Sequence, residues 1–138
     1  MSDPRDFGFP RSWSRKFRDA FHGVALGVRG QRSFLVHFAF AAAVIGCGWG
    51  FRVSLPEWLV LLLCITVVLT AEMFNSAMES MAKAVSLEYH PFLGDALDIG
   101  SAAVLLASLG AAMVGGLLFT HRLGAILGWW QDWIATRG

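Results

Sequence analysis

Glu72, Asn75 and Glu79 are separated by three and four residues, the interval that stacks side chains on one face of an α-helix. Two carboxylates and an amide so arranged can do two kinds of work. They can hold magnesium, which takes oxygen ligands and is commonly bound by one or two carboxylates with phosphate oxygens and water. A carboxylate can also take the proton from a hydroxyl nucleophile. Asp98, with Ser101 one helical turn later, can face the same cavity. The competing reading is structural: the glutamates pair with arginines near the N-terminus, or Glu79 simply stands in water. The chain has neither a P-loop nor a kinase-type glycine loop, so any nucleotide site must be built another way.

The elements that must position these groups are apolar. Of 138 residues, 56% are hydrophobic and only 15% charged, against roughly a quarter charged in soluble domains. The charges cluster between long apolar runs, and the fold class expected is an all-α membrane protein with three transmembrane helices. A net charge of +1 provides no broad basic field for nucleic acid. Cys47 and Cys64 lie inside apolar runs and read as small buried hydrophobes.

Along the chain, residues 1–10 form an arm with two prolines and mixed charges. Ser12 is placed to cap a helix over about residues 12–29, in which Phe17, Phe21, Val24 and Val28 line one face while Arg15, Lys16, Arg18 and Asp19 occupy the rest. That pattern fits an amphipathic helix on the membrane surface. The first span is expected at about residues 34–51, with His37 a packing residue and Gly46 and Gly50 allowing close helix approach. The second is expected at 56–85, with Pro56 in its first turn and Trp58 at the interface. A helix of that length is about 45 Å long against a hydrocarbon core of roughly 30 Å, so the turns bearing Glu72, Asn75 and Glu79 leave the lipid or line a polar cavity. Residues 86–94 read as a loop broken by Pro91, and 95–119 as the third span, opening on Asp95 and Asp98. Trp129, Trp130 and Trp133 suggest an interfacial helix in the tail. The resulting division is an arm and surface helix over 1–33, a core over 34–119 and a tail over 120–138.

Seven of the eleven lysines and arginines precede residue 34. The positive-inside rule therefore puts the N-terminus in the cytoplasm, in an inner (plasma) membrane, with the C-terminus outside after three crossings. Glu72, Glu79 and Asp98 then lie at the cytoplasmic side.

The stretch AEMFNSAMESMAKAVSLEYHPFLGDALDIGSAAVLL closely resembles the signature region of the small bacterial diacylglycerol kinase family, which includes undecaprenol kinases. The matching residues are Glu72, Asn75, Ser76, Ala77 and Glu79, then Glu88, Tyr89 and His90, then Asp98, Gly100, Ser101, Ala102, Ala103 and Val104. Upstream, KFRDAFHGVALGVRGQRSFLVHF resembles the family's surface helix and its entry to the first span. The resemblance implies a homotrimer with shared active sites, transferring the γ-phosphoryl of MgATP to a membrane lipid hydroxyl. It implies Glu72 as general base, Asn75 as a positioning group, Glu79 as a magnesium ligand and Asp98 within the nucleotide cluster. Glu88 and His90 would lie near the nucleotide in the cytoplasmic loop. RSFLVH leans towards undecaprenol as acceptor, LEYH and DIGSAAV towards diacylglycerol.

This chain departs from the family's pattern at three places. Gln31 stands where a second metal-binding glutamate is usual, Leu97 where a phosphate-contacting lysine is usual, and Lys83 where an aspartate is usual. Two readings are open. Either Lys83, or Arg15, Arg18 or Arg29, restores the missing positive charge, or the chain is a catalytically weakened relative acting as a membrane binding or scaffold protein.

Overall fold

A computed structural model describes residues 12–29, 32–85, 88 and 90–128. It consists of four helices: α1 (Trp13–Val28), α2 (Arg32–Gly50), α3 (Leu55–Val85) and α4 (Pro91–Leu127). The last three are long and apolar enough to cross a membrane, and the chain is an all-α membrane protein. The chain separates into two units, residues 1–30 and 31–138.

In the first unit, Ser12 is the N-cap of α1, as its position suggested, but through its backbone. Its carbonyl accepts from the N–H groups of Arg15 and Lys16, while its hydroxyl pairs with that of Ser14 instead of capping. Phe17, Phe21 and Val24 are exposed along one face, so the helix is amphipathic.

In the second unit, α4 runs along α3 and α2 packs on α3. The buried apolar side chains are few, chiefly Phe34, Val53, Leu61, Val68 and Ala82. Leucines and phenylalanines cover the outside of all three helices, Leu35, Leu63, Leu106 and Leu117 among them. Helices apolar all round need an apolar solvent, and the bilayer is that solvent.

Two capping devices set the turn between α2 and α3. Val53 donates its N–H to the Gly48 carbonyl and Arg52 donates to that of Trp49, the paired bonds of a Schellman ending. Arg52 takes the left-handed conformation at φ 49° that glycine would adopt without steric cost. Next, Glu57 Oε2 accepts from both the N–H and the hydroxyl of Ser54, each at 2.6 Å, so that the carboxylate of the first turn of α3 reaches back to the preceding residue as in one half of a capping box.

Helix contacts differ from expectation at several points. The close approach to α2 falls at Gly48 and not at Gly46 or Gly50: a Cβ at Gly48 would lie 2.6 Å from Cη2 of Trp58, whereas Gly46 and Gly50 face open space. Trp58, expected as an interface anchor, packs there and edge-on to Trp49. Helix α4 begins at Pro91, with His90 as N-cap, because proline lacks only an N–H that the first helical turn does not use. Asp95 and Asp98 therefore lie beyond the first turn, which holds no acid. At its other end α4 continues past residue 119 to Leu127, where Gly128 adopts φ 74° and ends it. Residues 121–127, expected in an interfacial tail, are thus two further turns of α4; Trp129, Trp130 and Trp133 lie outside the described residues.

Those two turns carry Arg122 to Glu57. The guanidinium donates from Nε to Glu57 Oε1 at 2.9 Å and from a terminal nitrogen to Oε2, a bidentate clamp that joins the end of α4 to the start of α3. Removal of one partner strands the other charge, whereas removal of both does not. The Arg122→Leu protein should therefore melt a few degrees below wild type in detergent, and Glu57→Leu/Arg122→Leu should recover part of that loss. Circular dichroism against temperature measures both.

Candidate active site

Glu57 and Glu79 are separated by about 33 Å of α3 at a helical rise of 1.5 Å per residue. The charged clamp and the carboxylates of the 72–79 face consequently occupy opposite ends of the bundle.

Each member of that face is placed by packing against a different neighbour. Glu72 is 3% exposed, Asn75 9% and Ser76 4%; none is turned towards lipid. Glu79, one turn further on, is half-buried and accepts a hydrogen bond from Asn75 Nδ2 at 3.2 Å. The amide oxygen of Asn75 is buried and makes no hydrogen bond among the described residues. It points at Gly100 of α4, where a Cβ would come within 2.7 Å of it. Gly100 thus lets α4 approach α3 closely enough to hold the Asn75 side chain. Across from α3, His37 of α2 presents Nε2 at 3.7 Å from Glu72 Oε2. Helix α2 begins near this end and α3, antiparallel to it, arrives there in its second half, which brings His37 level with the first acid of the second span.

Glu72, Asn75 and Glu79 therefore share one face as their spacing required, joined by two residues that the spacing did not reveal. His37 had been read as a packing residue, and its signal was its depth: an ionisable group one turn inside an antiparallel neighbour of Glu72. Gly100, two residues after Asp98, had been assigned no role. Asp98, Lys83 and His90 are exposed. Asp98 nevertheless lies within a turn of Gly100, at the same end of the bundle. Glu88 is exposed, Leu97 is half-buried, and Gln31 lies outside the described residues. Among those residues no three His, Cys, Asp or Glu side chains cluster as a ready metal site. Magnesium needs fewer protein ligands than that when phosphate oxygens and water complete its shell, and Glu79 suits it as a single half-buried carboxylate.

Between α2, α3 and α4 runs a groove of about 450 Å³, walled by Phe40, Val44, Leu61, Leu69, Leu105 and Phe119 among others. Its walls are almost wholly apolar. His37 lines it at the end nearest Glu72, and Ser108 lines its α4 wall. A space of this kind takes hydrocarbon and excludes water.

Comparisons with known proteins point to one family. The family described as "Prokaryotic diacylglycerol kinase" matches residues 18–119. An undecaprenol kinase of Bacillus subtilis (strain 168) is 29% identical over 109 residues, covering 79% of this chain and 89% of that protein. A diacylglycerol kinase of Synechocystis is 35% identical over 112 residues, 80% of this chain and 64% of its own length. A diacylglycerol kinase of Escherichia coli K12 is 35% identical over 83 residues, 60% of this chain and 66% of the other.

Proposed function

The chain belongs to the prokaryotic diacylglycerol kinase family, and we propose that it transfers the γ-phosphoryl of MgATP to the hydroxyl of a membrane lipid, diacylglycerol or undecaprenol, with Glu72 as general base. The observation that carries this reading is the placement of Glu72: a buried carboxylate opposite His37, where an apolar groove ends. A lipid tail lying in that groove brings its hydroxyl to the carboxylate. The proton passes from the hydroxyl to Glu72, the oxygen forms a bond to the γ-phosphorus, and the bond to the β–γ bridging oxygen breaks as ADP leaves. Catalysis of this kind rests chiefly on positioning and charge neutralisation. Asn75, its amide hydrogen-bonded to Glu79, aligns the reacting groups, and Glu79 is the chain's magnesium ligand. Bound magnesium would offset the negative charge of the phosphates.

Gln31 is assigned to the same metal, and Asp98, Glu88, His90 and Lys83 to the nucleotide. With these assignments the working unit is a homotrimer whose subunits share sites, as the resemblance to the family implies. The concentration of lysine and arginine before residue 34 supports a cytoplasmic N-terminus, an external C-terminus and a plasma-membrane location, which gives the site access to cytosolic ATP.

The decisive experiment supplies the purified full-length protein in mixed micelles with labelled ATP, magnesium and each lipid in turn. Label in the lipid fraction is the expected result. Its absence with both acceptors, the helical fold being intact, would leave the scaffold reading, which Gln31 and the apolar, half-buried Leu97 favour. A further outcome follows from the neutral amide at position 31. Gln31→Glu should lower the half-saturating magnesium concentration about fivefold, the worth of roughly 1 kcal/mol of added charge attraction. Leu97→Lys should likewise lower the KM for MgATP. Both are read from titrations in the same assay.

A further inference from the structure

The burial of Glu72 poses a question that the reaction does not answer. A carboxylate with 4% of its side chain exposed has lost its water, and such a charge persists only when the protein supplies a partner. Asn75, the nearest amide on the same helix face, directs its Nδ2 to Glu79 instead. Helix α4 brings Gly100 to this end, which has no side chain to offer. The partner among the described residues is His37, whose Nε2 stands 3.7 Å from Glu72 Oε2. That separation is electrostatic rather than a formed hydrogen bond, and a small rotation of either side chain closes it.

His37 also has a second neighbour. It lines the apolar groove, so one imidazole touches both the space that suits a lipid tail and the carboxylate at its end. From this geometry we infer that His37 is a positioning residue for the transfer: its Nε2–H holds one oxygen of Glu72 and leaves the other directed towards the acceptor hydroxyl. A glutamate has three rotatable side-chain bonds, and a base that must meet a proton within hydrogen-bond reach gains rate when its rotamer is held. The inference rests on Glu72 acting as the base. It adds that α2, which bears none of the reacting groups described above, sets that base in place.

His37→Leu keeps an apolar side chain of similar bulk and removes the N–H. Its kcat should fall about tenfold, with the KM for MgATP unchanged and the thermal midpoint in detergent close to wild type. His37→Gln puts an amide N–H at nearly the reach of Nε2 and should restore most of the lost rate. A purely structural role would instead lower the midpoint and would not distinguish glutamine from leucine. Wild-type kcat in His37→Leu, or equal loss in a folded His37→Gln, overturns the inference. Glu72→Gln, run alongside, separates the two levels of the argument. An inactive Glu72→Gln beside a fully active His37→Leu refutes only the role of His37; an active Glu72→Gln refutes the base itself.

Discussion

Glu72→Gln should lower kcat by about 10³-fold, within the range that a positioned general base contributes, while leaving the KM for MgATP nearly unchanged. Glutamine has the shape of glutamate but cannot accept the hydroxyl proton at neutral pH. The substitution should be well tolerated by the fold. It exchanges a buried carboxyl group for an amide of equal size, and the amide oxygen keeps the position facing His37. A loss confined to kcat, with an unaltered melting temperature, distinguishes removed chemistry from removed structure. Residual activity within tenfold of wild type would show that the hydroxyl loses its proton elsewhere.

Gly100→Ala should separate activity from stability in the opposite sense to a typical packing defect. The added methyl falls 2.7 Å from Asn75 Oδ1 and 3.3 Å from the Met78 side chain. Met78 can yield because its thioether is flexible. Asn75 must swing aside, and that motion breaks its hydrogen bond to Glu79. A displacement of about 1 Å in a positioning group can cost on the order of 10²-fold in rate, and a loss of that size in kcat is expected. Alanine meanwhile favours the helix over glycine by about 1 kcal/mol, which offsets the local clash. The melting temperature should therefore stay near wild type while the assay rate collapses. Asn75→Ala combined with Gly100→Ala should be no worse than Asn75→Ala alone, because the methyl then has no amide to displace. Additive losses in that pair would place the fault in helix packing.

Much of this arrangement was visible in residue order. The apolar runs located three spans, and the last residue of α3, Val85, lies where the sequence placed it. Spacings of three and four put Glu72, Asn75 and Glu79 on one face. Other features were only partly visible. The Ser54–Glu57 cap and Gly128 at the end of α4 are recognisable signals that went unread. Reading Pro91 as a breaker, although proline is well suited to a first helical turn, made α4 appear to begin too late. Arg122 fell within the expected tail, and no local signal shows that its charge is matched by Glu57, distant in sequence.

Residue order thus carried whatever depends on a single helix: its length, its apolar character, the faces formed by its own periodicity and the chemistry of the groups on them. It did not carry the choice of partner across helices. That Asn75 abuts Gly100, that Trp58 rests on Gly48, and that His37 faces Glu72 depend on how far each helix slides and turns against the next. Such offsets are settled by the close packing of many side chains at once. No local spacing encodes them, so the geometry around Glu72 became legible only in the folded chain.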